Sequence, residues 1–294
     1  MARRNSFKHH LQALILPFLV SSVPALAQDQ TTESALLWEV SGNGLSAPSY
    51  IYGTFHLIDA AHFTVSPAVD SAFAHCDQIA FEIKMDDMSM IGKTMKWMPL
   101  PNGGALSDYC TPEEYSIVSQ YVKDSMGMDI VMFNGAKPLA LYQSTMVANI
   151  EGESASYEMH FMEKGAAAQK PILGLETIEF QLSVFDSIPY DEQIDWIVQS
   201  IQDNTGATLW DDMIRTYTSQ NIEAIYQLTI ADSPELKKYE ALLITDRNKR
   251  WIPVIEQYAK EKPTFVAVGA AHLGGPNGII KLLKEAGYTL TPVK

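Results

Sequence analysis

Two histidines stand in matching settings. Gly53-Thr54-Phe55-His56 and Gly269-Ala270-Ala271-His272 each follow an apolar run with strand character and precede a segment that reads as helix. In a chain with 17 Gly and 7 His, one G-x-x-H alone carries little information. The shared placement raises it, because loops at the carboxyl ends of strands form the ligand crevice of open α/β sheets. Glycine lets the backbone bend tightly there, so that the histidine projects into the crevice. Glu82 interrupts a third apolar run, Gln78 to Ile83, where an unpaired carboxylate is costly to bury. Two imidazoles and a carboxylate form a ligand set for a catalytic metal that keeps a position open for water. Such an ion lowers the water's pKa and polarises a carbonyl. The competing account is structural: strand-end histidines bonded to backbone, and Glu82 paired with a core arginine such as Arg247.

Glu176 and Arg247 complete the candidates. Glu176 lies where a strand meets a helix and reads either as a helix-terminus carboxylate or as a general base. Arg247-Asn248, between Asp246 and Lys249, reads either as a solvated charged run or, facing the crevice, as an oxyanion or carboxylate clamp.

The elements that must position these residues are an α/β set. Leu36–Val40 and Ser49–Tyr52, flanking Gly42-Asn43-Gly44, read as a hairpin. A helix opening at Ser66-Pro67 and the strand through Glu82 follow, suggesting a βαβ crossover with a directly paired parallel strand. About residues 107–260 are mainly helical: Thr111-Pro112-Glu113-Glu114 is a capping box and Gly127 a stop. Ser233-Pro234-Glu235 opens a late helix through Leu242 and Trp251, which Pro253 is expected to kink or break. Within this stretch Lys170–Leu175 reads as a buried strand. Strand Thr264–Val268, helix Asn277–Glu285 and strand Tyr288–Val293 close the chain. The expected fold is a mixed central sheet built from N- and C-terminal strand-helix-strand units, with a large helical insertion between them.

Residues 1–27 read differently. Arg3, Arg4 and Lys8 precede the apolar run Leu11–Val20, and Pro24-Ala25-Leu26-Ala27 offers cleavage before Gln28. This is the order of a secretory signal peptide, and the run is short for a membrane span. The expected mature chain, 28–294, is one domain without a membrane span, periplasmic or secreted. The formal charge of −14 becomes −17 without the leader, with 18 basic residues against 35 acidic ones. That field repels polyanions and argues against nucleic-acid partners. Export also permits a disulfide between Cys76 and Cys110, the alternative being two free thiols. Met85, Met88, Met90, Met95 and Met98 crowd one stretch with Trp97. Thioethers bind Cu(I), although such a stretch more often forms a flexible apolar lid or contact surface.

The chain resembles the TraB/GumN family. The likeness rests on Leu37-Trp38-Glu39-Val40, on Pro48 through Leu57 with the first G-x-x-H, and on Phe81-Glu82. It continues through Leu106-Ser107-Asp108, Gly174-Leu175-Glu176-Thr177, Arg247-Asn248 with Trp251, and Val268 through Leu273. The resemblance implies a site core of His56, Glu82 and His272, with Arg247 close by. Members related to the animal TIKI proteins are regarded as metal-dependent proteases favouring manganese or cobalt, and the wider group is similar to erythromycin esterases and a haem-binding lipoprotein fold. The expectation is therefore an exported metal-dependent hydrolase, a peptidase, using manganese, cobalt or zinc on a peptide or a small ester or amide. The alternatives are a non-catalytic binding or accessory protein for haem, metal or peptide, and a metal-free esterase in which a histidine works with Glu82.

Overall fold

The computed structural model describes residues 34–148, 152–202 and 205–294. The leader and its cleavage site lie outside these residues. The amino-terminal part runs through β1 (Leu37–Ser41), β2 (Ser49–Thr54), β3 (Ile58–Asp59), α1 (Pro67–His75) and β4 (Gln78–Ile83). The middle holds α2 (Ser89–Trp97), α3 (Pro112–Met126), α4 (Pro138–Ala148), β5 (Ser154–Ala155), α5 (Tyr157–Ala167), β6 (Ile172–Glu176), α6 (Ile178–Asp186), α7 (Tyr190–Gln202) and α8 (Thr205–Thr218). Then come α9 (Ile222–Tyr226), α10 (Pro234–Lys238), α11 (Asp246–Glu261), β7 (Thr264–Gly269), α12 (Ile279–Glu285) and β8 (Thr289–Val293).

Six strands form one mixed sheet in the order β6-β4-β7-β2-β1-β8. The strands β6, β4, β7 and β2 are mutually parallel, and β1 pairs antiparallel with both β2 and β8. This is the mixed α/β sheet expected from the sequence, with one change of neighbour. β2 and β4 do not pair directly, because β7 lies between them. Every residue of β7, Thr-Phe-Val-Ala-Val-Gly, is buried, and a strand with no solvent-tolerant face belongs at the sheet centre. β8, which carries Pro292, takes an edge, where a missing backbone donor costs nothing. One consequence decides the site: β6, β4, β7 and β2 end at the same edge, so Glu176, Glu82, His272 and His56 arrive together.

Aromatic side chains fill the core beneath the sheet. Tyr52, Phe73, Phe161 and Phe265 pack with ring centroids 4.9–6.2 Å apart, within the range favoured by edge and offset stacking. A separate apolar cluster, including Leu106, Val122, Leu141 and Ile197, holds α3, α4 and α7 together. α3 starts as expected, with Thr111 accepting from the Glu114 N–H and Glu114 reaching back to Thr111, and Gly127 ends it at φ 64°. The late helix differs from expectation. It divides into α10 and α11 around a wider turn at Ala241–Thr245, and Pro253 lies within an unbroken α11. Pro253 and Lys249 are both exposed, so the carbonyl that loses its partner faces water rather than apolar packing. Cys76 and Cys110 are free thiols, the first buried and the second partly so. Among the described residues, no helix is long and apolar enough to cross a membrane.

Candidate active site

His56 follows β2 and leans over the sheet edge. Its Nδ1 lies 2.8 Å from Glu158 Oε1, which also accepts from Thr54 Oγ1 at 2.5 Å. The other oxygen of Glu158 accepts from Ser156 Oγ at 3.1 Å. Glu158 sits in the first turn of α5, brought to the site because α5 packs its aromatic face against Tyr52. The outer face of His56 is open, with 66% of the side chain exposed, while its Nε2 looks inward at Glu82 Oε1, 3.8 Å away. Crowding of that inner edge opposes charge on the ring. The Glu158 hydrogen bond and charge, with Glu82 beyond, prevail and lift its pKa to about 9.

Glu82 is held by three hydrogen bonds. Oε1 accepts the Gly269 N–H at 2.9 Å, and Oε2 accepts Arg247 Nη2 at 2.7 Å and Gln181 Nε2 at 3.0 Å. His272 Nε2 lies 3.9 Å from Oε1, so two imidazoles converge on one carboxylate oxygen. Burial opposes ionisation of Glu82, but the charge of Arg247, the two histidines and the Gly269 N–H hold its pKa far below the carboxylate range.

His272 is fixed in one tautomer. Asn248 Nδ2 donates to the carbonyls of His272 and Asn277, so its Oδ1 must accept, and His272 Nδ1 lies 2.6 Å from it. The Nε2 lone pair then faces Arg247 Nη1 at 3.2 Å. Burial, partly offset by Glu82, lowers the His272 pKa to about 3, so the ring is neutral.

Arg247 has no donor left over. Its Nε–H goes to Glu176, Nη1 to the Leu243 carbonyl and His272, and Nη2 to Glu82 and Glu176. These use all five guanidinium N–H groups. The guanidinium also stacks over Trp251, 4.7 Å from its ring centre, and Trp251 Nε1 donates to Glu176 Oε2 at 2.9 Å. Glu176 therefore stands behind Arg247, its two oxygens engaged and its side chain 5% exposed. Placed there it is a counter-ion for Arg247 rather than a base facing the crevice. Glu82 pairs with Arg247 through Oε2 and faces the two histidines through Oε1.

The two G-x-x-H glycines serve close packing rather than a sharp turn, since neither has a positive φ. A Cβ on Gly53 would lie 3.1 Å from the Cα and Cβ of Ala270. A Cβ on Gly269 would lie 3.2 Å from Glu82 Oε1 and 3.3 Å from His56 Nε2. Beside this space opens a cavity of about 500 Å³ lined by both histidines, Phe55, Trp210, Met213 and Leu228 among others. None of the methionines from 85 to 98 lines it, so that segment is not a lid over this site. Met85 packs against the main core, and Met88 and Met95 are exposed.

Residues 36–292 match the TraB/PrgY/gumN family. The chain belongs to that family. It is also similar to a zebrafish (Danio rerio) protein described as metalloprotease TIKI1, at 22% identity over 314 residues, covering 88% of this chain. The chain spans 63% of that relative's length. No solved structure matches it.

Whether this TraB/PrgY/gumN site suits a divalent ion depends on its donors. Chemically they fit. Glu158 and Asn248 hold the two Nδ1 atoms, an outer arrangement that orients metal-binding histidines, and leave both Nε2 atoms directed at Glu82. Two carboxylates, Glu82 and Glu176, hold the one guanidinium, and a third, Glu158, holds His56, a surplus of negative charge that favours a further cation. The distances, however, are not those of a closed ligand set. Among the described residues no group of three or more His, Cys, Asp or Glu is arranged to hold an ion, and Arg247 covers the His272 lone pair. The sequence does not single out Glu158, Gln181 or the orienting role of Asn248. An acid in the first turn of a helix ordinarily reads as a favourable end charge, and no pattern in the sequence links Glu158 to His56.

Proposed function

We propose that this chain is an exported metal-dependent hydrolase, a peptidase, whose site is formed by His56, Glu82 and His272. The observation that carries this reading is the convergence of two imidazole Nε2 atoms on Glu82 Oε1, at 3.8 and 3.9 Å, beside a substrate-sized cavity. The likeness to a metalloprotease supports it, as does the leader-like order of residues 1–27. A divalent ion, manganese, cobalt or zinc, held by these three side chains would supply Lewis acidity toward a carbonyl and activate water.

The chain's own residues have separable tasks. Glu82, kept ionised by Arg247, presents Oε1 to the reacting space. His56, with Nδ1 held by Glu158, turns Nε2 toward the reacting space, where it would be a ligand of the ion. Arg247, its donors all committed, positions Glu82 and His272 and does not clamp the substrate. Glu176 neutralises Arg247.

The His56–Glu158 pair also favours a second reading, a metal-free esterase or amidase in which Glu158, rather than Glu82, orients the general base. One experiment separates the readings: metal analysis of purified protein, then peptide and ester cleavage by wild type and His56→Ala, with and without chelator. Loss of cleavage with chelator and with His56→Ala supports the metal hydrolase. Chelator-resistant cleavage that still needs His56 selects the metal-free enzyme. Spectral change on adding haem, with no turnover of any substrate, selects the binding protein.

A further inference from the structure

The cavity beside His56 and His272 has a wall chemistry of its own. Among the described residues its lining contains no Asp, Glu, Lys or Arg, and the two imidazoles are the only ionisable groups there apart from tyrosine hydroxyls. Several polar atoms of the wall are already committed elsewhere. Trp210 Nε1 donates to Asp59, Tyr217 OH to the Gly53 carbonyl, Thr54 Oγ1 to Glu158 and Thr229 Oγ1 to the Ile225 carbonyl. The ring faces and methyl groups remain for a ligand. Phe55 packs edge-on against both Trp210 and Tyr217, with centroids 5.5 and 5.4 Å away, which makes a preformed aromatic corner. Met213 and Leu228, half-buried, add aliphatic surface to the wall. Apart from His56, these walls offer a charged group no opposite charge in exchange for the water it loses, whereas an apolar group gains from burial. The volume, about 500 Å³, exceeds a single side chain and leaves room for adjoining main chain.

We propose that this cavity is the specificity pocket of the site and takes a large apolar side chain, aromatic or branched aliphatic, carried by the substrate next to the scissile carbonyl. The inference rests on the hydrolytic reading above for the bond that is cut, and on the cavity itself for the group that is bound.

The test has a cleavage arm and a binding arm. In the first, a mixture of end-blocked peptides with every residue type is digested by the metal-supplemented full chain, and the cut bonds are read by mass spectrometry. Phe, Leu or Ile beside the cut bond is expected, with kcat/KM at least about tenfold above that of otherwise identical peptides carrying Asp or Ala. Met213→Lys should shift the preference toward Asp, and Met213→Gln, neutral and of similar length, should weaken the preference without reversing it. In the second arm, end-blocked Phe and Asp peptides are titrated against wild type and Trp210→Phe while tryptophan fluorescence is followed. The Phe peptide is expected to change the wild-type signal at lower concentration than the Asp peptide, and to change the Trp210→Phe signal less.

Cleavage without side-chain preference overturns the pocket and leaves the hydrolase standing. Selective binding of the Phe peptide with no cleavage overturns the hydrolase and supports the pocket as a recognition site. Neither binding nor cleavage overturns both.

Discussion

Asn248 dictates what His272 can do. By donating its amide to two backbone carbonyls it leaves only an acceptor for His272 Nδ1, at 2.6 Å. The Nε2 lone pair must then face the site. The residue before it on the same helix, Arg247, reaches that lone pair and Glu82 together. Two neighbours in sequence thus set the tautomer of one candidate ligand and the charge state of another.

Replacing Asn248 with Ala removes three buried hydrogen bonds and leaves an imidazole N–H and two carbonyls to find new partners. Each buried group left unpaired costs about 1–3 kcal/mol. Urea unfolding should show a clear loss of stability, and metal affinity should fall about 10- to 100-fold as for other lost orienting partners. A variant with an unchanged unfolding midpoint and unchanged metal binding would show that the amide orients nothing.

Arg247 offers a sharper thermodynamic test. Removing one partner of a buried ion pair typically costs about 3–5 kcal/mol, because the remaining charge stays buried. Arg247→Met strands both Glu82 and Glu176, and Arg247→Lys, with three donors rather than five, can satisfy only part of the set. Adding Glu176→Gln to Arg247→Met should restore part of the lost stability by neutralising one stranded carboxylate. A double-mutant cycle from denaturant unfolding measures that coupling, and strict additivity would contradict the pairing.

The pH dependence of the metal-free protein has two limbs of opposite sign. Glu82 has a folded pKa below its ordinary 4.5, so its contribution is present above that value and lost as pH falls below it. His272 is held neutral, its pKa lowered from 6.5 to about 3, so stability also falls as the unfolded chain gains a proton between those values. His56 is raised from 6.5 to about 9, so its contribution is full below 6.5 and lost as pH rises through 9. Unfolding followed across this range in chelator should show greatest stability near neutrality. Glu158→Gln, which removes the main group raising the His56 pKa, should shift the alkaline limb to lower pH. An alkaline limb identical in that variant would separate it from His56.

Much of this was legible in the sequence, and the reasons are local. Apolar runs ending in G-x-x-H mark strand ends, and a carboxylate inside a third run has to be explained by a partner, so His56, His272 and Glu82 could be placed at one sheet edge. The insertion of β7 between β2 and β4 could not be read. Strand order depends on which strand has both faces buried, and short apolar runs look alike. The depth of Arg247-Asn248 was hidden by exposed Asp246, Lys249 and Arg250, since a helix shows both faces within one charged run. Glu158 was illegible because its partnership with His56 spans 102 residues and exists only once α5 has docked.

Gly269 provides the test closest to the chemistry. Its φ of −51° and ψ of 132° suit any L-residue, so Gly269→Ala carries no backbone strain. The added methyl would enter the space between Glu82 Oε1 and His56 Nε2, at 3.2 and 3.3 Å, where water or an ion must reach those atoms. These neighbours need to give by only a few tenths of an ångström, so stability should change by less than about 1 kcal/mol, while hydrolysis falls by about tenfold or more because the methyl blocks the approach to both atoms. Gly53→Ala makes the contrast. Its methyl meets Ala270 and Leu273 at 3.1 Å within packed structure, so it should destabilise by about 1–3 kcal/mol through overpacking. Thermal unfolding and kcat/KM on one substrate separate the two. Full activity in Gly269→Ala would mean that the reaction takes place elsewhere.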